Sequence, residues 1–326
     1  MDAVQSSIIQ NNEAAVKPYN KKKNGFISEI RENKYLYLLT LPGLIFFLIF
    51  AYVPMVGLVI AFQDFKPVKG IFGSKFVGLD NFVFFFTSKD WGKVTFNTIY
   101  LNILFILAGT FISIAIAIML SEIQKKLFVK LTQSIVILPH FLSWTVIAMF
   151  SLSWFSTDTG FVNATLARFN MPTVDFVGNA GIWPFLLVVL SVWHGAGFGS
   201  IVYLASIAGI DQEIYEAAKI DGASRMQSIL HITLPLLKST VILLLIMSVG
   251  KIFYGNFGMI YALVGSNPQL YPTTDVIDTF VYRQLNELGY MGMASAVGFY
   301  QSVVGFILVI TTNFIAKKVD SESALF

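Results

Sequence analysis

The chain has no cysteine and few charged residues for its length. Without cysteine it can form neither a disulfide framework nor a thiolate site. Only 13% of its 326 residues are charged, whereas about a quarter of the residues in a soluble domain are. The net charge of +3 is too small to indicate a nucleic-acid partner. Because 56% of the residues are hydrophobic, the composition predicts an integral membrane protein.

The signatures of several chemistries are also missing. The sequence has no Gly-x-x-x-x-Gly-Lys-Ser/Thr phosphate loop, so we do not expect the chain to bind ATP itself. A cluster at Gly195, Gly197 and Gly199 lies inside an apolar run with no strand before it, which predicts close helix packing instead. No nucleophile–base pairing and no set of metal ligands stands out. The chain is therefore predicted to be neither an enzyme nor a metalloprotein.

Long apolar runs are the main feature of the sequence. A membrane-spanning helix needs about 20 mostly apolar residues, and six runs of that length occur: Tyr35–Gln63, Phe96–Ser121, Leu131–Thr157, Phe176–Ile210, Thr240 to about Val264 (interrupted only by Lys251) and Leu288–Ala316. We predict an all-α integral membrane protein with six transmembrane helices. The membrane domain spans residues 35–318, between a basic tail (1–34) and a short C-terminal tail (319–326).

The distribution of lysine and arginine indicates the orientation. If both termini are cytoplasmic, the cytoplasmic side carries fourteen of these residues and the other side seven. Cytoplasmic loops are enriched in such residues, so we expect a multi-pass protein with both termini in the cytoplasm. The loop before the second span runs against this trend, because it contains five lysines: Lys66, Lys69, Lys75, Lys89 and Lys93.

One loop, residues 211–235, is too polar to enter lipid. Ile214, Ala217, Ala218 and Asp221 recur at the spacing of one helix face, and the two alanines there form a flat patch on which another protein can pack. Gly222 permits a sharp turn. Ser224 is suited to cap a second helix through Met226–His231, and Pro235 suits the first turn of the next membrane helix. The loop is predicted to be a helix-turn-helix joined rigidly to the fifth span.

Seven positions of this loop match, with the correct spacing, the EAA loop of permease subunits in ATP-binding-cassette importers: Glu216, Ala217, Ala218, Gly222, Ile232, Leu234 and Pro235. The resemblance implies that the loop lies in the cytoplasm, docks in a cleft of a separate ATPase subunit and carries the force of nucleotide-driven closure. The residues expected to couple to the ATPase are Glu216, Ala217, Ala218, Asp221, Gly222 and Ala223. An ordinary amphipathic interfacial helix is the alternative, although a basic face would suit that better.

Two further segments narrow the resemblance. Val276–Arg283 with Ala294–Gln301 resembles the permeases of complex-polysaccharide importers, and Phe76–Phe82 resembles sugar-importer permeases more widely. This implies one half of a heterodimeric permease in the bacterial plasma membrane, with a second, homologous permease subunit. It also implies two ATPase subunits that bind ATP and Mg²⁺, and an extracellular binding protein that delivers an oligosaccharide.

Candidate substrate contacts are polar or amphipathic groups in the apolar runs. Lys251 is expected in the middle of the fifth span, where a lysine costs about 2.5–3.5 kcal/mol, so it should face either an anionic sugar such as a uronate or a partner group. Tyr254 and Asn256 follow on the same helix, and Asn102 and Trp193 lie in other spans. Contact with sugar and helix-to-helix hydrogen bonding are both open for each of these.

A transporter driven by an ion gradient is the main alternative to an ATP-driven importer. Such proteins usually carry carboxylates within the membrane as coupling groups. No Asp or Glu lies centrally in any of the six apolar runs, which counts against the alternative.

Overall fold

The computed structural model describes residues 29–30 and 33–319. The predicted N-terminal and C-terminal tails lie almost wholly outside this range. The chain divides into two compact units, Met1–Gly57 and Leu58–Phe326, and each is described by itself.

The described part of the first unit is helical. It contains α1 (Lys34–Phe47), a π-helical turn (Leu48–Tyr52) and the start of a 3₁₀ segment (Val53–Phe62). Pro42 and Pro54 cannot donate a backbone hydrogen bond, and the regular α-helix gives way to the irregular turns between them. No residue of α1 is buried, and the exposed side chains are mostly apolar, as lipid contact requires.

The second unit contains a short hairpin and fourteen helices among its described residues. The strands β1 (Gln63–Asp64) and β2 (Lys75–Phe76) pair antiparallel, with Gln63 opposite Phe76. The helices are α2 (Gly70–Gly73), α3 (Asp80–Thr87), α4 (Asp90–Ser121), α5 (Lys126–Ile137), α6 (Trp144–Phe155), α7 (Phe161–Arg168), α8 (Trp183–Ala208), α9 (Gln212–Ile220), α10 (Arg225–Ser228), α11 (Leu234–Val249), α12 (Phe257–Val264), α13 (Tyr271–Thr274), α14 (Ile277–Asn286) and α15 (Met291–Val319).

Across the described residues, five helical segments are long and apolar enough to cross a bilayer: Lys34–Phe62, Asp90–Ser121, Ala180–Ala208, Arg225–Val249 and Met291–Ile315. Lys126–Phe141 and Trp144–Phe155 make a sixth if this bent pair is one span. The predicted all-α membrane architecture is confirmed. The first, second, fourth and sixth predicted spans correspond to observed helices, with ends that differ by a few residues.

The third predicted span, Leu131–Thr157, is not one straight helix. Its two halves are bent by 93° at a short break. Pro139 lies in a 3₁₀ turn, Leu138–Phe141, that ends α5, and Ser143 starts α6 by accepting a hydrogen bond from the Val146 amide at 3.3 Å. Proline removes a helical donor and serine supplies a new cap, so the sequence stops one helix and begins another in a new direction.

The fifth span is the largest correction. The apolar run predicts it over Thr240–Val264, but the helical segment runs from Arg225 to Val249 and then ends. Residues 250–256 are turns, and α12 begins afterwards at Phe257. Lys251 is therefore not in the middle of a membrane helix. Glycines at 250 and 255 weaken the helix there, and Asn256 caps α12 by accepting from the Met259 amide at 3.2 Å.

Close packing positions α8 against its neighbours. A Cβ on Gly197 would overlap the backbone carbonyl of Val136, and one on Gly199 would lie 2.8 Å from Ser113 Oγ. That hydroxyl donates to the Ala196 carbonyl at 3.1 Å. Gly197 thus lets the backbone of α5 approach α8, and Gly199 leaves room for a side chain of α4, which agrees with the packing role predicted for these two glycines.

Candidate functional site

Residues 211–235, which we call the coupling segment, form two short helices around a tight turn. Asp211 caps α9 by accepting from the Glu213 amide at 3.0 Å. Gly222 follows α9 at φ +81°, and the next amide, that of Ala223, donates back to the Ala218 carbonyl at 2.9 Å. A positive φ costs a side chain with a Cβ about 1–2 kcal/mol, so glycine is the residue that closes this helix most easily.

The second helix of the coupling segment continues directly into the membrane. Ser224 and Gln227 form a capping box, with the Ser224 amide donating to Gln227 Oε1 at 2.7 Å. This helix, α10, is shorter than the predicted Met226–His231, because a π turn at Ile229–Thr233 replaces its last part. The π turn leads without a break into α11, whose first turn contains Pro235. The helical segment is therefore continuous from this turn into the fifth span.

One contact holds the coupling segment together, and another ties it to the rest of the unit. The Tyr215 hydroxyl lies 2.9 Å from Thr233 Oγ1, which joins α9 to the π turn. Arg225 Nη1 lies 3.9 Å from Glu122 Oε2, just past the end of α4. Both charged side chains are more than 40% exposed, so this pair contributes little stability. It does show that the end of α4 and the coupling segment lie on the same side of the molecule.

The coupling segment exposes several large apolar side chains among its charged ones. No residue of α9 is buried. Ile214 is 43% exposed, Ile220 86% and Met226 62%. Of the predicted coupling residues, Glu216, Ala217, Asp221 and Gly222 are exposed, whereas Ala218 and Ala223 are half-buried. Exposed large apolar side chains next to charged ones suit a surface on which another protein docks.

The second candidate region is the broken segment, residues 250–256. It contains three of the predicted substrate contacts, Lys251, Tyr254 and Asn256, all of which are exposed. Lys251 and Tyr254 lie in turns and Asn256 caps α12, so the prediction that they share one helix is wrong. Irregular backbone of this kind is found in membrane proteins where the chain lines a cavity or is covered by protein.

A carboxylate that the sequence did not single out as a site residue holds this segment in place. Asp278, on α14, accepts from the Gly255 amide and from Gln301 Nε2 at 3.3 Å. The same amide group of Gln301, on α15, donates to the Phe253 carbonyl. Burial raises the pKa of Asp278, and the hydrogen bonds from Gly255 and Gln301 offset part of that rise. Two helices and the broken segment therefore meet at one carboxyl group.

A second polar cluster lies at the two ends of the same helix. Arg283 donates to both oxygens of Asp275, at 3.2 and 2.6 Å, and its guanidinium carbon lies 4.4 Å from the centre of the Tyr271 ring. Thr279 Oγ1 donates to the same carboxylate at 2.8 Å. Burial lowers the pKa of Arg283, but the hydrogen bonds and charge of Asp275 outweigh it and the net shift is upward. The spacing i, i+4, i+8 of Asp275, Thr279 and Arg283 is the sequence signal that could have revealed this cluster.

The starts of two half-helices lie side by side. A Cβ on Gly258, in the first turn of α12, would lie 3.8 Å from Trp144, the first residue of α6. His194 of α8 packs on Trp144 with ring centres 4.3 Å apart, and its Nε2 lies 3.2 Å from the Leu142 carbonyl. Helix starts carry a partial positive charge, and in transporters such starts can face anionic substrate groups.

The remaining two predicted contacts lie elsewhere. Asn102 is half-buried on α4, where its Nδ2 donates to the Thr98 carbonyl of the same helix at 2.8 Å. Trp193 is 47% exposed and lines an apolar groove of about 480 Å³ between α6 and α8. Asn102 is thus satisfied within its own helix, and the groove at Trp193 does not include Lys251.

The chain is similar to known transport proteins over almost its whole length. It is 37% identical over 297 residues to the protein LplB of Bacillus subtilis, and the match covers 91% of this chain and 93% of that one. It is 36% identical over 302 residues to the polygalacturonan/rhamnogalacturonan transport system permease protein YteP of Bacillus subtilis (93% and 94% covered). Among solved structures, a bacterial alginate ABC transporter in complex with an alginate pentasaccharide-bound periplasmic protein matches with a TM-score of 0.83 at 34% identity, covering 91% of this chain and 98% of that one.

The family model of the binding-protein-dependent transport system inner membrane component matches residues 109–321. This range contains the coupling segment, the broken segment and both polar clusters. The chain therefore belongs to the inner-membrane components of binding-protein-dependent transport systems.

Proposed function

We propose that this chain is one of two permease subunits of an ATP-driven importer for acidic oligosaccharides. The observation that carries the substrate class is the similarity, over nine-tenths of the chain, to a permease for polygalacturonan and rhamnogalacturonan and to an alginate transporter. Polygalacturonan and alginate are both built from uronic acids. The second subunit would be a homologous permease, and both termini of this chain would lie in the bacterial cytoplasm.

The coupling segment supports an ATP-driven mechanism. Its apolar face is exposed, its turn depends on Gly222, and α10 continues into the fifth span. Closure of two partner ATPase subunits would push this face, and the continuous helix would pass the movement to the broken segment after Val249. ATP and Mg²⁺ would be bound by those partners, because the sequence carries no phosphate loop of its own.

The broken segment suits an anionic cargo. Lys251 is an exposed cation there, and the starts of α6 and α12 lie next to each other. A uronate carboxylate passing this point would meet positive charge from the lysine and from the helix starts. Tyr254 supplies an aromatic ring and Asn256 an amide, both of which suit the face and hydroxyls of a sugar. Asn102 and Trp193 lie outside the broken segment and are proposed to contact the sugar elsewhere along the translocation pathway.

The ion-gradient alternative has no support in the comparisons, since the matched family depends on binding proteins. The test is transport into proteoliposomes or right-side-out vesicles that contain both permeases, the ATPases and the binding protein. Uptake of an oligogalacturonate should require ATP on the ATPase side and should survive an ionophore. It should also exceed uptake of a neutral oligosaccharide of equal length. Uptake without ATP that collapses with the ionophore would refute the proposal, and equal uptake of both sugars would refute the acidic cargo.

A further inference from the structure

A cavity of about 390 Å³ lies between the hairpin, α3 and the start of α15. Its lining includes Gln63, Asp64, Asp80, Asn81 and Tyr290. We call it the acidic cavity, because two carboxylates and no lysine or arginine line it. No residue of the coupling segment or of the broken segment is part of its lining.

The acidic cavity lies on the side of the membrane opposite the coupling segment. The 32-residue helix α4 is about 48 Å long at 1.5 Å per residue. Glu122, at its far end, pairs with Arg225 of the coupling segment. Its near end, Asp90, follows directly after α3, which begins at Asp80 in the cavity wall. A binding protein that delivers substrate from outside would meet this face.

The cavity is held in shape by close packing. Asn81 Nδ2 donates to the carbonyls of Ala61 and Gln63, at 2.9 and 3.0 Å. A Cβ on Gly292 would lie 2.6 Å from that Gln63 carbonyl and 2.9 Å from the Asn81 amide, so only glycine lets α15 approach here. The ring of Phe62 packs edge-on against Phe299 with centres 5.8 Å apart. The wall is therefore built from three elements that fix one another.

The hydrogen-bonding groups left over in the lining are acceptors. Gln63 is 7% exposed, and its Nε2 donates to the Ile71 carbonyl at 2.9 Å. Its Oε1 is buried and has no partner among the described residues. The Asn81 donor is used on two carbonyls, while Asp64 and Asp80 supply carboxylate oxygens. Ionised carboxylates only accept hydrogen bonds, so a ligand rich in donors would suit this lining.

Aromatic rings narrow the class of ligand. Phe65, Phe84 and Tyr290 also line the cavity, and Phe84 and Tyr290 are more than half exposed. Arginine presents a planar group with five donors that pairs with carboxylates and stacks on aromatic faces. A bare metal ion would leave most of the volume empty and would not use the rings. Lys66 already approaches Asp64, with Nζ 3.6 Å from Oδ2, which shows that a basic side chain fits at the rim.

We propose that the acidic cavity receives an arginine side chain of the extracellular binding protein and so fixes how that protein docks. The inference rests on the proposed function, which supplies the binding protein as a partner. In the docked state, the guanidinium would bridge the two carboxylates and lie against the exposed rings. The negative charges of Asp64 and Asp80 lie on the face where docking would occur, and their sign is opposite to that of the arginine.

The test uses the complete transporter in nanodiscs and its substrate-loaded binding protein. The double substitution Asp64→Asn with Asp80→Asn keeps the side-chain shapes and removes both charges. We expect it to weaken binding of the loaded binding protein by about tenfold or more, mainly at low salt. N-acetylarginine methylamide should compete with docking better than the matched citrulline compound. Asp158→Asn, which removes an exposed carboxylate outside the cavity, is the control and should bind like wild type.

Several outcomes would overturn the inference. Unchanged affinity in the double variant, with a normal thermal unfolding midpoint, would show that the cavity takes no part in docking. A metal site would be shown instead if calcium chelation abolished docking of the wild type and added Ca²⁺ restored it, while neither treatment affected the double variant. If wild-type transporter neither binds the loaded protein nor transports with ATP, the proposed function itself fails. Transport that proceeds normally in the double variant with unchanged docking would leave that function intact and remove only this inference.

Discussion

Arg283 donates to the Asp275 carboxylate from its two terminal nitrogens, Nη2 at 2.6 Å and Nη1 at 3.2 Å, and the Asp275 side chain is only 1% exposed. Asn97 of α4 donates to the Asp275 carbonyl at 3.1 Å, and Thr98 Oγ1 accepts from the Ile277 amide at 2.9 Å. These last two hydrogen bonds anchor the start of α14 to the second span, 178 and 179 residues away in sequence. Because Asp278 is on the same helix, this anchor also positions the broken segment.

Replacing Arg283 by lysine should destabilise the protein although the charge is kept. Lysine cannot form the two-pronged contact with Asp275 or stack on Tyr271, and breaking a buried pair costs about 3–5 kcal/mol. The measurement is thermal unfolding in detergent, followed by intrinsic tryptophan fluorescence. Arg168→Lys, at an exposed site, is the matched control. Equal unfolding midpoints for Arg283→Lys and the control would contradict the anchoring role.

Replacing Gly222 by valine should uncouple ATP hydrolysis from uptake. No atom lies within 4 Å of a Cβ built there, so the effect would come from the strained φ of +81° and not from a clash. Gly222→Asn should be milder, because asparagine tolerates this region better. ATPase activity and uptake are measured together in proteoliposomes. The control is Gly92→Val, at an equally open glycine with ordinary φ, in which ATP hydrolysis and uptake should stay coupled. If they also stay coupled in Gly222→Val, the turn does not transmit the movement.

Replacing Lys251 by methionine should weaken uptake of a uronate-containing oligosaccharide about tenfold. A contact between unit charges near 4 Å is worth roughly 4 kcal/mol at a dielectric of 20, and desolvation of both groups offsets much of it. Apparent affinity is measured for acidic and neutral sugars of equal length. The neutral sugar and the control Lys69→Met, in the outer hairpin loop, should show little change. Equal affinities in wild type and Lys251→Met would assign the lysine to packing or to a partner subunit.

Asp278→Asn should change how stability depends on pH. Burial raises the folded-state pKa of Asp278 above its ordinary value of 3.8. Between that value and the raised folded pKa, the unfolded chain loses its proton first, so this carboxyl makes the fold less stable as pH rises. The asparagine variant lacks this decline, and its unfolding midpoint should therefore rise relative to wild type from about pH 4 upward. Parallel midpoint curves for the two proteins across that range would show that the burial of Asp278 carries no such penalty.

Gly197→Ala should disturb the packing of α8 more than Gly195→Ala. The added Cβ at Gly197 meets the Val136 carbonyl, whereas the one at Gly195 meets nothing within 4 Å. Overpacking of this kind costs about 1–3 kcal/mol. Unfolding midpoints of the two variants, two residues apart on one helix, give the comparison. A difference of less than a degree would show that α5 moves aside without cost.

The coupling segment and the broken segment show which features local chemistry specifies. Capping by Asp211 and Ser224, the glycine turn at Gly222 and the start of a helix at Pro235 each depend on residues within a few positions of one another. The apolar length of the membrane runs is equally local, so their number and most of their ends could be predicted. The fifth span could not, because its apolar run continues past Val249 although the helix does not.

Local sequence patterns therefore specify the class of protein, the approximate course of four of the six membrane segments and the coupling segment. Packing between distant elements is what places Lys251 in a turn, joins Asp278 to Gly255 and Gln301, and attaches Asp275 with Arg283 to α4. These contacts join residues from 8 to about 180 positions apart. Most of these contacts join different elements, and which elements become neighbours depends on how the helices pack together. The hydrophobic period or the cap of a single segment does not predict that packing.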